Sequence, residues 1–211
     1  MRAGRPRIRR GLYAITPASH PGLVAACAAA LEGGATVLQY RDKSSDPARR
    51  LAEASALAAL CAAHGVPLIV NDDVELATRA GAAGVHLGED DAALADARAR
   101  LGPDAIIGVS CYDSLERARR FAAAGADYLA FGAFFPSPTK PHARRATLDL
   151  LRQARSLGVP LVAIGGITVD NAPALVTAGA DGVAVISALF DADDVRAAAR
   201  RFSLLFDAAS P

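Results

Sequence analysis

Two basic side chains follow a short apolar segment and have the chemistry to hold an anion. Arg41 and Lys43 lie in the sequence Gln39-Tyr40-Arg41-Asp42-Lys43. Alternate residues of an extended chain share a face, so Gln39, Arg41 and Lys43 are predicted to point one way and Tyr40 and Asp42 the other. A guanidinium and an ammonium on one face favour a phosphorylated ligand. Taken alone, the segment fits a solvated charged loop equally well.

Acidic residues follow two further apolar segments, in Asn71-Asp72-Asp73 and in Glu89-Asp90-Asp91. Both groups precede helical sequence, where helix caps and the helix dipole explain acidic residues without any ligand. If the two segments are neighbouring strands, about 4.8 Å apart, one aspartate from each reaches a single divalent ion. Mg²⁺ takes one or two carboxylates together with water and phosphate oxygens. His86, within a strand, is predicted to be packed or hydrogen-bonded rather than a ligand.

The remaining candidates lie farther along the chain. Ser110 has no histidine or lysine near it in sequence, so it is not predicted to be an activated nucleophile. The proline-rich segment 134–141 carries hydroxyls and Lys140 and is predicted to be an anion-binding loop. Gly165-Gly166 fits either a tight turn or, as we favour, backbone N–H groups facing a phosphate, together with the Ile186-Ser187 segment.

Short apolar segments alternate with helical ones along the whole chain, which predicts parallel strands with right-handed crossovers. The predicted strands are 12–16, 36–41, 68–71, 85–88, 106–111, 128–133, 161–165 and 183–187, and the predicted helices include 47–63, 92–100, 114–124 and 148–157.

Similar glycine joints, such as Ala124-Gly125-Ala126 and Ala178-Gly179-Ala180, precede the even-numbered strands, and a different form precedes two odd-numbered ones. This repeat favours a closed ring of eight units, a single-domain (β/α)8 TIM barrel over residues 11–207. Residues 1–10 are predicted to be a solvated basic tail, and 208–211 a C-terminal tail. An open doubly wound sheet is the alternative, but no GxGxxG follows the first strand.

Composition excludes several classes of protein. A net charge of +1 offers no electrostatic case for nucleic acid, and no apolar run is long enough to predict a membrane partner. Cys27, Cys61 and Cys111 are odd in number and widely spaced, which predicts reduced thiols in a cytoplasmic protein. Only two of the 23 basic residues are lysines, Lys43 and Lys140. The sequence leaves open whether copies of the chain form a homo-oligomer.

The motifs, taken in order, resemble thiamine phosphate synthase. They are QYRDK (39–43), NDDVELA (71–77), HLGEDD (86–91), GVS (108–110), PSPTK (136–140), IGGITVDN (164–171) and VIS (185–187). Each motif alone is weak, whereas seven in order are specific. The resemblance implies a transferase that joins a pyrimidine pyrophosphate to a thiazole phosphate and releases pyrophosphate.

The resemblance also implies roles for individual residues. The pyrimidine pyrophosphate would contact residues from the segments after strands 2, 3, 5 and 6: Gln39, Tyr40, Arg41, Asp42, Lys43, Asn71, Ser110 and Lys140. Of these, Arg41, Lys43, Ser110 and Lys140 would be catalytic. One Mg²⁺ per subunit would be held by Asp72 and Asp91. The thiazole phosphate would meet Ser137, Pro138, Thr139, Gly166, Ile186 and Ser187.

Two positions depart from the family pattern. Glu89 stands where the family often has Gln and would add negative charge near the metal, and Tyr112 stands where it often has His. A thiazole tautomerase of the same fold is the nearest alternative, but its members depend on a histidine near the end of strand 5. A non-catalytic ligand-binding or regulatory barrel is a further alternative, although it would be expected to have lost metal or pyrophosphate residues.

Overall fold

Eight parallel strands close into a barrel in chain order, with the first strand paired to the eighth. The structure is a computed structural model that describes residues 8–88, 92–136 and 145–207. Its strands are β1 Gly11–Ile15, β2 Ala35–Tyr40, β3 Leu68–Asn71, β4 Gly84–Leu87, β5 Ile106–Tyr112, β6 Tyr128–Phe131, β7 Leu161–Ile164 and β8 Gly182–Val185. The (β/α)8 prediction is therefore confirmed.

Helices alternate with the strands around the outside of the barrel. They are α1 Leu23–Glu32, α2 Pro47–Ala63, α3 Val74–Ala80, α4 Ala92–Leu101, α5 Leu115–Ala124, α6 Leu148–Ala154, α7 Ala172–Ala178, α8 Ser187–Phe190 and α9 Val195–Asp207, with a 3-10 turn over Arg155–Leu157. None of the helices formed by the described residues is long and apolar enough to cross a membrane.

Two predicted boundaries at the barrel mouth were wrong. Strand β8 ends at Val185, and Ser187 begins the short helix α8 instead of ending the strand. Strand β6 ends at Phe131, two residues before the predicted end. In both places the apolar run continues past the last ladder bond, so hydrophobicity alone overestimates the strand length.

Alternate strand residues divide the buried side chains into two layers. One layer lies between the strands and the helices, and the other fills the barrel. The inner layer contains Ile8, Tyr13, Ile15, Val37, Ile69, Ile106, Tyr128, Ala130, Val162 and Ala184. Ile8, which the prediction placed in a solvated tail, is buried in this layer. Residues 1–7 and 208–211 lie outside the described part.

The glycine joints before the even-numbered strands have the left-handed backbone that glycine favours at the end of a helix. Gly34, Gly81, Gly125 and Gly179 all have positive φ. In two joints a carboxylate also ties the start of the next strand to the strand before it. Asp127, just before β6, accepts from the backbone N–H of Ile107 on β5, and Asp181, just before β8, accepts from that of Leu161 on β7. The repeat therefore includes a side-chain bond that closes the amino-terminal end of the barrel.

Candidate active site

The carboxyl ends of all eight strands meet at one rim, and this rim collects the predicted residues that the structure describes. Gln39, Asn71, His86 and Ser110 occupy inward-facing positions on four consecutive strands, β2 to β5. The register pairs Asn71 with His86, so the ends of β3 and β4 lie side by side as the metal prediction requires. Adjacent strands thus supply two amides, an imidazole and a hydroxyl to one end of the barrel.

The contacts of Gln39, Tyr40 and Asp42 follow the predicted alternation of the 39–43 segment. Gln39 lies inside the barrel with 3% of its surface exposed. Tyr40 points toward α2 and donates from its hydroxyl to Glu53 at 2.8 Å. The Asp42 carboxylate accepts from Arg49 at 2.7 Å and from the backbone N–H of Ser44 at 2.7 Å. The polar atoms of Tyr40 and Asp42 therefore have protein partners, and these two residues brace the segment.

The pKa shifts of the two bracing residues fit this arrangement. Burial and the neighbouring carboxylates of Glu53 and Asp42 raise the pKa of the Tyr40 hydroxyl, so it stays a donor. Burial opposes the charge on Asp42, but hydrogen bonds from Ser44 and the charge of Arg49 outweigh it and lower the pKa of the carboxyl. Asp42 is therefore an anchored carboxylate at neutral pH.

Arg41 and Lys43 carry the charge of this segment. The backbone N–H of Arg41 donates to Thr16 Oγ1 at 2.9 Å, which ties the segment to the end of β1. The Arg41 side chain is half-buried and that of Lys43 is exposed. Neither forms an ion pair with another residue of the described ranges. Both cations therefore remain available to an anion at the mouth.

The two carboxylates of the Asn71-Asp72-Asp73 segment differ: Asp73 has a structural role, whereas Asp72 is exposed. Asp73 caps α3 by accepting from the backbone N–H of Leu76 at 2.8 Å and pairs with Arg50 at 2.9 Å. Asp72 is exposed, has a left-handed φ of 62°, and accepts from the Asn71 amide at 2.7 Å. This backbone is uncommon for a non-glycine residue and aims the carboxylate outward.

Gly88 shows how near Asp72 lies to the end of β4. A Cβ atom built on Gly88 would be 3.6 Å from Asp72 Oδ1. Asp72 is thus in contact range of the residue that leads into 89–91. In the described ranges no three His, Cys, Asp or Glu side chains are grouped to hold a metal ion. The second predicted ligand, Asp91, lies outside these ranges, as does Glu89.

Ser110 has a histidine partner that the sequence reasoning missed. Its Oγ is 2.9 Å from Nε2 of His86, which is 24 positions away in the chain. The other ring nitrogen of His86, Nδ1, is 3.0 Å from the hydroxyl of Tyr128. The prediction that His86 is a hydrogen-bonded histidine inside the barrel is confirmed. Burial lowers the pKa of His86 to about 4, against a weaker opposing effect of Asp72, so the ring is neutral at pH 7.

Arg117 is a second residue that sequence reasoning missed. From α5, its Nε donates to the backbone oxygen of Ser110 at 2.8 Å, and its Nη2 donates to that of Gly88 at 2.7 Å. Its guanidinium also lies 5.8 Å from the ring centre of Tyr112. One planar fork therefore fixes the ends of β4 and β5 together. A helical arginine gives no sequence signal for this role, because many arginines of the chain lie on helices.

Gly165 and Gly166 have a packing explanation of their own. Both have positive φ, 104° and 62°. A Cβ atom on Gly165 would lie 2.5 Å from that of Ala133, and one on Gly166 would lie 2.3 Å from the carbonyl oxygen of Pro136. The glycines thus let the segment after β6 cross over the end of β7. This close crossing accounts for them without a ligand.

The other predicted residues of the thiazole side are divided between described and undescribed segments. Ile186 is the N-cap residue of α8 and Ser187 is its first residue, so both lie at the mouth. Ser137, Pro138, Thr139 and Lys140 lie outside the described residues. The predicted convergence of Lys43 and Lys140 therefore stays a prediction.

Comparison with known proteins decides the family. The family model for thiamine monophosphate synthase matches residues 12–189. The chain belongs to the thiamine monophosphate synthase family. A thiamine-phosphate synthase of Chromobacterium violaceum is 60% identical over 205 residues, covering 96% of this chain and 99% of that protein. One of Thiobacillus denitrificans is 58% identical, covering 94% and 95%.

A solved structure extends the match of this thiamine monophosphate synthase family member to three dimensions. The thiamine phosphate pyrophosphorylase of Pyrococcus furiosus superposes with a TM-score of 0.87 at 37% identity, covering 96% of this chain and 98% of that one. The recognition of the family from its motifs is confirmed, and the protein is a transferase of this family.

Proposed function

We propose that the protein condenses 4-amino-2-methyl-5-hydroxymethylpyrimidine pyrophosphate with 4-methyl-5-(2-phosphooxyethyl)thiazole, giving thiamine phosphate and pyrophosphate. The observation that carries the proposal is the clustering of Arg41, Asn71, Asp72 and Ser110 at the ends of β2, β3 and β5, at one mouth of a thiamine monophosphate synthase barrel. These groups match an anionic, phosphorylated substrate in charge and hydrogen-bonding capacity.

The pyrimidine pyrophosphate is proposed to lie over β2 to β5. Arg41, Lys43 and Lys140 neutralise the charge that grows on the leaving pyrophosphate, and Ser110 donates to an acceptor on the same substrate. Support comes from the absence of a described ion-pair partner for Arg41 and Lys43. Tyr40 and Asp42 are proposed to act by bracing this segment, because their own polar atoms already bond to α2 and Ser44.

One Mg²⁺ ion is proposed to bind at the mouth, and the chemistry of the described residue Asp72 fits it. Asp72 is an exposed carboxylate with an outward-aimed backbone, and hard oxygen donors of this kind suit Mg²⁺. Asp72 and Asp91 are proposed to hold the ion, with the amide of Asn71 hydrogen-bonded to the Asp72 carboxylate. When bound, Mg²⁺ supplies positive charge to the pyrophosphate oxygens.

The thiazole phosphate is proposed to lie over β6 to β8. Gly166 and Ile186 present backbone groups at the mouth, and Ser187, Ser137 and Thr139 present hydroxyls, with Pro138 shaping the segment between the last two. Support comes from the crossing of residues 133–136, which lead into this segment, over Gly165-Gly166.

The reaction is proposed to be dissociative, with the pyrophosphate leaving before the thiazole nitrogen attacks. Such a path needs charge stabilisation and exclusion of water but no protein nucleophile or strong base. Ser110 fits this, because its partner His86 has a pKa lowered to about 4 by burial and is a poor base.

An assay of product identity tests the proposal. Purified protein is incubated with both substrates and Mg²⁺, and thiamine phosphate and pyrophosphate are measured by chromatography. We expect the two products in equal amounts. Tautomerised thiazole phosphate without thiamine phosphate would instead support the tautomerase alternative, which Tyr112 disfavours because it places no imidazole at that strand end.

We also propose a cytoplasmic location, supported by three free, separately buried thiols. Assembly of copies into a homo-oligomer is compatible with this proposal.

A further inference from the structure

A continuous chain of hydrogen bonds crosses the interior of the barrel below the mouth. Gln39 Nε2 donates to the Tyr13 hydroxyl at 2.9 Å, and the Tyr13 and Tyr128 hydroxyls are 2.7 Å apart. Tyr128 contacts His86 Nδ1 at 3.0 Å, and His86 Nε2 contacts Ser110 at 2.9 Å. The five side chains come from β2, β1, β6, β4 and β5. Both ends of the chain are residues that we place in the pyrimidine pyrophosphate site.

Gly108 provides the room that this chain of hydrogen bonds needs. Gly108 lies in register between His86 on β4 and Tyr128 on β6. A Cβ atom on Gly108 would lie 1.8 Å from Cζ of Tyr128, so the ring passes through space that any side chain would occupy. The Tyr128 ring stacks on the His86 ring, with centroids 5.6 Å apart and planes 24° apart. The missing side chain at Gly108 is therefore what lets Tyr128 reach the imidazole.

Counting hydrogens gives the chain a direction. The Gln39 amide nitrogen only donates, so the Tyr13 oxygen accepts from it. If Tyr13 donates to Tyr128 and Tyr128 donates to Nδ1 of His86, every hydroxyl hydrogen has an acceptor. In the reverse direction the Tyr13 hydrogen would face only the Gln39 amide and another donated hydrogen, in a site 2% exposed. An unsatisfied donor there is costly, so the first direction is favoured.

The direction determines what Ser110 can do. A neutral imidazole that accepts at Nδ1 carries its hydrogen on Nε2 and donates it to the Ser110 oxygen. Ser110 then keeps its own hydrogen for another partner, and its open side is the barrel mouth. We infer that Tyr13, Tyr128 and His86 are positioning residues that, oriented by the Gln39 amide, hold Ser110 as an outward hydrogen-bond donor to the pyrophosphate-bearing substrate.

The inference rests on the proposed function for the identity of the ligand, whereas the direction of the hydrogen bonds does not depend on it. Its first test therefore does not use activity. In ¹⁵N NMR of protein labelled in its histidine rings, with His86 assigned by its loss in His86→Gln, we expect Nε2 to carry the hydrogen and Nδ1 to be bare. Tyr128→Phe should abolish this preference. An Nδ1–H tautomer in the unaltered protein would overturn the inference.

A double-mutant cycle tests the coupling to the ligand, with inorganic pyrophosphate and Mg²⁺ as the probe in calorimetry. Ser110→Ala should raise Kd about tenfold. Tyr128→Phe should raise it several-fold in the original protein and less than about twofold in the Ser110→Ala background. Equal effects in both backgrounds would overturn the inference.

Two controls separate positioning from folding. His86→Leu removes the ring through which Tyr128 reaches Ser110 and should reproduce the binding result if Tyr128→Phe fails to fold. Thr36→Val removes a hydroxyl that bonds to the backbone of Leu12 at the other end of the barrel, and should leave Kd unchanged. If the original protein binds no pyrophosphate, the proposed function fails, while the NMR result still decides the direction of the chain.

Discussion

At the scale of single residues, the barrel mouth separates side chains that act on a ligand from those that hold the acting ones. Asp72 and Asp73 are adjacent carboxylates, but one is exposed at the rim and the other caps a helix and pairs with Arg50. Arg41 and Asp42 divide in the same way. Sequence alternation anticipated the second pair, because an extended chain alternates its faces. The first pair is separated by the left-handed backbone at Asp72, which sequence does not reveal.

The two aspartates provide a matched test of the metal site. Asp72→Asn should raise the Mg²⁺ concentration needed for half-maximal rate about tenfold or more, because an amide is a weaker ligand than a carboxylate. Asp73→Asn should leave it unchanged, since asparagine also caps helices. The measurement is the initial rate against Mg²⁺ concentration for each variant. Equal Mg²⁺ requirements in both variants would contradict the assignment of Asp72.

His86 makes stability depend on pH in a defined window. Burial lowers its pKa from 6.5 to about 4, so between these values the unfolded chain binds the extra proton. The contribution of the neutral His86 ring to the free energy of unfolding is complete above pH 6.5. It is lost as the pH falls toward 4, by about 3 kcal/mol at most. Metal-free urea unfolding from pH 7 to pH 4.5 measures this loss.

The same experiment on His86→Gln should show a shallower pH dependence, since the variant lacks the titrating ring. His64→Gln, at an exposed position, should keep the slope of the original protein. A His86→Gln slope equal to that of the original protein would show that other groups carry the acid sensitivity.

At the scale of elements, the glycine joints and the Arg117 guanidinium hold the strand ends in place. Glycine joints with positive φ end the helices. Asp127 and Asp181 tie the starts of β6 and β8 to β5 and β7 at the amino-terminal end of the barrel. At the mouth, Arg117 of α5 joins the ends of β4 and β5 through the backbone of Gly88 and Ser110. The joints were predictable because a helix commonly ends at a glycine, which adopts the left-handed backbone without strain. The fork was not, because its two acceptors are distant in sequence.

Arg117→Lys tests the fork. Lysine keeps the charge but does not make two divergent bonds from one planar group, so β5 should shift and affinity for pyrophosphate should fall about threefold to tenfold. Calorimetric Kd and thermal unfolding are measured together. Arg119→Lys, on an exposed position of the same helix, is the control and should change neither. Unchanged binding in Arg117→Lys would show that α5 does not position Ser110.

At the scale of the whole molecule, closure of β1 on β8 produces two separate interiors. The outer one, between strands and helices, holds all three cysteines, and the inner one holds the polar chain from Gln39 to Ser110. Ile8 covers the inner layer from the amino-terminal end. In the described part of the barrel interior, the polar side chains from Gln39 to Ser110 are bonded to one another.

The burial of Cys27, Cys61 and Cys111 predicts that the folded protein resists alkylation. None is more than 1% exposed, and burial raises the pKa of each thiol to about 12, so little thiolate is present at neutral pH. Mass spectrometry after brief iodoacetamide treatment should find no modification of the folded protein and three modifications in guanidinium. Rapid labelling of the folded protein would contradict the burial of the thiols.

The sequence by itself determined the family, the alternation of strands and helices, and the opposite faces of Gln39 and Tyr40. These features depend on local periodicity, on glycine backbone preferences and on motif order, all of which are written along the chain. Only the tertiary structure decided that Ser110 pairs with His86, that Tyr13 and Tyr128 link it to Gln39, and that Gly108 makes room for the link. Those contacts join five strands of a closed barrel, and closure brings together residues whose separation in sequence carries no signal.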